Sequence, residues 1–356
     1  MANVNTNQNI QDNISKPKEQ QGAQVPPMST VKEFNNSKYE KYIPRITPGQ
    51  QYDVGLDGGY SSWKLMFLNE LSTIPTAVNY AIDTGIDYGE NNVYAFENET
   101  LLVGEDAVGE AFTTLDYKFK YKYDPLLMIH SLLKLGALDL NRIDQDHLTI
   151  RIGLALGDWK HKNDYIERLQ NISVDGKTFR FNNIKIIPQG AGVYLDSVIR
   201  LFNNVHPSLT SIIDIGFNTI NYLAFIDGKP QKQYCRSYMG HGVSSIITSF
   251  ANYLENEFGM SFSEQEAIRI FMKEKFIYNG AEQHQVVDTI YELKSNFIKK
   301  LRNSILVKEK KLLSISEKVV FAGGGSNLLK GVQFPPNVVF AAEEAIYSNV
   351  RGYMLF

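Results

Sequence analysis

Cysteine is almost absent. Cys235 stands alone, so no disulfide can close within the chain and a cysteine-based metal site is implausible. The six histidines are scattered without the spacing of metal ligands. No apolar run approaches the ~20 residues needed to cross a bilayer, and no signal-peptide pattern opens the chain, so the expected compartment is cytoplasmic and no membrane partner is expected. Charge of one sign is not in excess. A net charge of -3 over 356 residues gives no general pull toward nucleic acid, and direct nucleic-acid binding is not expected. Basic residues cluster only briefly, in Lys118–Lys122 and Lys308–Lys311, and both runs read as solvated faces. Also missing is any Gly-x-x-x-x-Gly-Lys-Ser/Thr element, which excludes a P-loop nucleotide site as far as a motif can.

What is present is apolar residue in quantity, 43% of the chain, enough for a large core and for two domains. Residues 1–48 are rich in Asn, Gln, Lys, Ser and Pro and read as a disordered tail. A first domain is expected over 49–205, with a subdomain inserted at about 75–125 and a helix at Asp124–Gly136, and a second over 206–340, with a helical subdomain at about 241–312 that includes helices at Ser244–Phe258 and Gln283–Leu306. Residues 341–356 are expected to form a terminal helix returning to the first domain. Each half contains a strand that ends on an acid and a glycine turn and then meets a hairpin partner: Gln51–Leu56 with Ser62–Leu68, and Leu209–Ile215 with Ile220–Ile226.

Four short elements carry the candidate chemistry. In Asp57-Gly58-Gly59-Tyr60-Ser61-Ser62-Trp63-Lys64, glycines let backbone N–H groups face an anion, Ser61 and Ser62 offer hydroxyls, and Lys64 offers a cation. Asp57 would hold a hydrated magnesium ion; a plain hairpin turn is the alternative. Asp214-Ile215-Gly216-Phe217-Asn218-Thr219 repeats that logic in the second half, with Asp214 approaching the same metal through water. Gln189 follows a strand and precedes a helix, where a side-chain amide can orient an attacking water, or simply occupy a helix N-terminal turn. Gly323-Gly324-Gly325-Ser326-Asn327 breaks a buried strand into a helix and leaves room for a base or sugar phosphate against the backbone, although generic glycine-rich loops look the same.

The order of these elements resembles the phosphate 1, connect 1, phosphate 2 and adenosine motifs of the actin, sugar-kinase and heat-shock-chaperone superfamily. In detail the chain is most similar to ParM-type plasmid-segregation and archaeal-like actins. The similarity is carried by Asp57-x-Gly59-Tyr60-x-x-x-Lys64, by Leu101-Leu102-Val103-Gly104-Glu105-Asp106-Ala107 and by Ser348-Asn349-Val350-Arg351-Gly352. The resemblance implies an α/β fold of two ribonuclease-H-like domains around a nucleotide cleft, Mg2+ with ATP or GTP as cofactor, and hydrolysis coupled to filament formation. It also implies self-association and a DNA-binding adaptor protein as partners. Ser263–Ile270 is similar to the helix that flanks the nucleoside in these proteins, which would assign Glu266 and Arg269 to the ribose or base. Two departures stand out. Phe217 and Asn218 occupy positions where glycine is usual, so Phe217 must turn into the core; and Gln189 stands where close relatives often carry Glu, implying water positioning rather than proton abstraction. A small-molecule kinase on the same core is the competing reading, but Asp83, Asp87, Glu105 and Asp106 form no evident substrate motif. A membrane-division scaffold lacks an amphipathic targeting helix.

Overall fold

The computed structural model describes residues 36–81, 92–110, 116–342 and 344–356; the expected tail up to residue 35, and Asp83 and Asp87, lie outside these. The first half opens with β1 (Tyr52–Gly58), β2 (Ser62–Phe67) and β3 (Glu70–Pro75). A small three-stranded sheet follows, from β4 (Val78–Tyr80), β5 (Val93–Phe96) and β6 (Glu99–Val103), with a 3-10 stretch at Gly104–Glu110. Then come α1 (Tyr117–Lys134), β7 (Leu148–Leu154), α2 (Lys162–Gln170), the hairpin β8 (Asn171–Val174) and β9 (Lys177–Arg180), β10 (Asn183–Pro188) and α3 (Ala191–Arg200).

The second half repeats the plan. It holds β11 (Leu209–Ile215), β12 (Thr219–Ile226), β13 (Lys229–Pro230) and β14 (Arg236–Met239). Helices α4 (Ser244–Phe258) and α5 (Glu264–Lys273) precede the short hairpin β15 (Ile277–Tyr278) and β16 (Ala281–Glu282). Next are α6 (His284–Leu301), α7 (Lys310–Ile315), β17 (Lys318–Ala322), β18 (Val338–Phe340) and α8 (Ser348–Tyr353).

The first sheet runs β10-β7-β1-β2-β3 and the second β18-β17-β11-β12-β13, with β14 also on β12. In both, a central strand pairs in parallel with its neighbours on one side and antiparallel with its hairpin partner on the other. Because α8 covers the second face of β1 at Gly55, which lies against Val350, Val54 through Gly58 are buried without alternation, whereas β2 alternates and turns Trp63, Leu65 and Phe67 inward. Each sheet has its own apolar core. A third core joins Ile187 and Val193 to Ile212, Leu223 and Val320 through α3 and α8, so these two helices form the seam between the sheets. Gly192 and Gly352 meet there: a Cβ at Gly352 would overlap the Gly192 carbonyl. Among the described residues no helix is long and apolar enough to cross a membrane.

Several expectations need correction. Residues 36–48, assigned to the tail, pack on the first half: Tyr39 is buried and bonds Asp175, and the Arg45 N–H meets the Gly136 carbonyl at 2.7 Å. Helix α1, expected from Asp124, starts at Tyr117, capped by the Asp116 carboxylate on the Phe119 N–H at 3.0 Å. The alternation of aromatics and lysines before Asp124 conceals that start, and Pro125 sits inside the helix. The long helix expected over Gln283–Leu306 ends as α6 at Leu301 and continues as a π-turn, Arg302–Leu306. The terminal helix begins only at Ser348, after a 3-10 turn at Ala345–Tyr347.

Candidate functional site

The parallel strands of both sheets deliver their C-terminal ends to one cleft. Gly58 ends β1, Ala155 follows β7, Gln189 follows β10, Gly216 follows β11 and Gly323 follows β17, and all five line one cleft. That is where open α/β sheets bind ligands, because the strands stop there and the loops are free to approach a guest.

The two acids face this space from opposite halves. Asp57 pairs across its hairpin with Lys64, and Asp214 with Asn221. Both are nearly buried, at 5% and 4% exposure. The Gln189 amide donates to Asp57 Oδ1 at 2.9 Å, and the Tyr353 hydroxyl donates to the same oxygen at 3.2 Å. Asn349 donates to Asp214 Oδ2 at 2.8 Å and accepts the Gly190 N–H at 2.8 Å, which ties the second acid to the first turn of α3. Burial, and then the neighbouring Asp57 charge, push the Asp214 carboxyl up to about 6, against the opposing pull of the Asn349 amide and Lys64. Lys64 donates to the Ser62 carbonyl at 3.0 Å, and its ammonium is lowered by burial while both acids act to raise it.

Thirteen of the residues singled out in the sequence line the cleft: Asp57, Gly58, Gly59, Tyr60, Lys64, Gln189, Asp214, Gly216, Phe217, Asn218, Thr219, Gly323 and Gly324. Phe217 lies on this wall while packing against the core of the second half. Others stand apart from the wall. Ser61 and Ser62 have their carbonyls engaged, by Gln265 and Lys64. Gly325 turns inward against Ile215 and Val243, and Asn327 is exposed. Glu266 is spent on a capping box with Ser263, bonding its N–H at 2.8 Å and its hydroxyl at 2.9 Å, and Arg269 is exposed one turn further along α5. The capping-box pattern was visible in the sequence and competes with the nucleoside assignment.

Lys120, Asn349 and Ile346 also line the cleft, and Tyr353 reaches Asp57; no role had been assigned to any of them. Asn349 had a signal, its place in Ser348-Asn349-Val350-Arg351-Gly352, one of the segments that carry the family resemblance.

The residues present fit a magnesium nucleotide. Burial and the Asp57 charge across the cleft both raise the proton affinity of Asp214, a conflict that a shared cation relieves. Gly59 has no room for a side chain, since a Cβ would lie 2.8 Å from the Ser62 carbonyl and 2.9 Å from Lys64 Nζ. Gly323 adopts φ 76°, and a Cβ there would press on Asp214 Oδ1, whereas Gly324 is open toward the cleft with only Ile346 nearby at 3.4 Å. Glycine is required at the first two positions for close approach.

Two family models match in tandem: residues 55–192 fit the N-terminal domain of actin-like proteins, and residues 212–332 fit the C-terminal domain of the archaeal, MreB-like actin homologues. Between them the two models cover most of the chain, which belongs to the actin-like superfamily. Among solved structures it is similar to a non-polymerisable quadruple mutant of pCBH ParM (TM-score 0.68, 18% identity, covering 86% of this chain and 99% of that one). It is also similar to a 15-stranded ParM filament from Clostridium botulinum (0.63, 18%, 86% and 99%). An archaeal actin homologue in complex with ADP matches as well (0.64, 19%, 85% and 98%). At these identities the likeness is one of fold. No curated protein sequence matches the chain.

Proposed function

We propose that this chain is the subunit of an actin-like filament, that it binds ATP or GTP with Mg2+ between its halves, and that hydrolysis limits the lifetime of the polymer. The observation that carries the reading is the convergence of Asp57 and Asp214 with Gln189 and Lys64 on one glycine-lined cleft. The ADP bound by the archaeal homologue and the filament formed by the Clostridium botulinum ParM support it by analogy of fold. Asp57 and Asp214 are the groups to hold the cation, whose charge would offset that of the phosphates. Lys64 and the backbone at Gly58–Gly59 and Gly216–Thr219 hold the phosphates. Gln189, its amide nitrogen turned to Asp57, keeps its carbonyl oxygen free to accept from a water and orient it. Closure of the halves about α3 and α8 would fix the subunit shape that polymerises. A role in DNA segregation through a DNA-binding adaptor, in the cytoplasm, follows as the biological setting.

Sedimentation with ATP, GTP, ADP and a non-hydrolysable analogue tests this. Polymer is expected with one triphosphate and its analogue, and Asp57→Ala or Asp214→Ala should abolish it. Absence of polymer under every condition would remove the filament and leave a monomeric kinase of the same fold, checked by phosphorylation of small acceptors.

A further inference from the structure

Lys120 belongs to a basic run that reads as solvent-facing, yet it is 3% exposed and lies on the cleft wall. Its Nζ donates to the carbonyl of Gly58, the residue after Asp57, at 2.5 Å. It pairs with Asp124 one turn along α1, Oδ2 at 3.1 Å, and lies 5.2 Å from the centre of the Tyr60 ring. Asp124 is wholly buried and accepts the Tyr165 hydroxyl at 2.5 Å. An isolated buried ion pair contributes little stability relative to packed apolar side chains. Its position against the first glycine loop is therefore the feature to explain.

An ammonium has three N–H donors. One is on Gly58, one on Asp124, and the third is left for an anion in the cleft. Lys120 also stands at a defined end of that cleft. Gly324 and Ile346, the open face suited to a base, belong to the β17 side, whereas Lys120 stands with Gly58, Tyr60 and Ala155 on the β1–β7 side. A nucleotide with its base against Gly324 would extend its phosphates toward Lys120, and the last phosphate would reach furthest.

We propose that Lys120 is a second phosphate-binding cation beside Lys64, one that contacts the terminal phosphate and so makes the cleft prefer a nucleoside triphosphate over a diphosphate. Asp124 and Tyr165 hold it in place as positioning residues. This rests on the cleft being a nucleotide site, and the experiment separates the two claims.

Calorimetric titration of the full chain with Mg-ATP and Mg-ADP, or the guanine pair if wild type binds that instead, gives the ratio of the two affinities. Lys120→Met alone strands a buried carboxylate, so the variant K120M/D124N, which keeps both shapes and removes both charges, is measured beside it. Both are expected to bind triphosphate about ten- to a hundredfold more weakly, the value of one charge-assisted hydrogen bond, with diphosphate within about threefold. K120R should recover most of the lost preference. Equal weakening for both nucleotides would make Lys120 a brace for the loop only, and an unchanged ratio would likewise overturn the proposal. Wild type that binds neither nucleotide would instead refute the nucleotide site itself.

Discussion

Asp57 and Asp214 end equivalent central strands in sheets of matching order, yet their surroundings differ. Opposite Asp57 stands Lys64; opposite Asp214 stands the neutral Asn221. The first acid is followed by Gly58 and Gly59, the second by Ile215 and Gly216, and both cations on the cleft wall, Lys64 and Lys120, come from the first half. The bracing differs as well. Asp57 is held by Gln189, from the turn before α3, and by Tyr353 of α8, while Asp214 is held by Asn349, which also holds the start of α3. The positive charge for an anion is thus built into one half, while the other adds a carboxylate and backbone. Strand order is duplicated, and the charge is divided.

The seam is where the comparison breaks most severely. Gly352→Ala forces a methyl group onto the Gly192 carbonyl, and backbone cannot yield as a side-chain tip can. A loss of about 3 kcal/mol in chemical denaturation is expected. Gln189→Ala removes a donor to Asp57 without touching Asp214; assembly should persist while phosphate release slows about a hundredfold. The braces sharpen the contrast further. Asn349→Ala removes two hydrogen bonds and should weaken triphosphate binding about tenfold, whereas Tyr353→Phe removes one 3.2 Å bond and should cost about threefold.

The smallest effect is one of pH. With its carboxyl pushed up to about 6, against an ordinary value near ~4, folded Asp214 retains a proton that the unfolded chain has lost. This group's contribution to the stability of the nucleotide-free protein therefore rises as pH falls through 6. Between about pH 7 and about pH 5, wild type should gain a few degrees in Tm relative to Asp214→Asn, which cannot titrate. Binding of the magnesium nucleotide, which needs the carboxylate ionised, should weaken over the same range.

Much of this was legible because the local signals agreed with the fold. Leu209–Ile215 and Ser244–Phe258 have the predicted limits, since an apolar run closing on Asp-x-Gly and a stripe ending at Gly259 leave little choice. The acid, glycine and glutamine positions were visible as turn chemistry at strand ends. Lys120 was not, because its neighbours Lys118 and Lys122 share its type and the long-range bond to Gly58 that distinguishes it appears only in the fold. The β8–β9 hairpin went unread because its strands, although they alternate, are only four residues each. One carboxylate can suit either a ribose or a helix cap, and in the structure Glu266 bonds the cap residue Ser263, three residues away.

The central claim is that the two acids serve one cation and one nucleotide. A double-mutant cycle on the Mg2+-dependent gain in triphosphate affinity, with Asp57→Asn, Asp214→Asn and both together, tests it most directly. The account predicts that either substitution alone removes most of the gain and that the pair removes scarcely more. Strictly additive losses would mean that the two carboxylates act at separate places, and would contradict it.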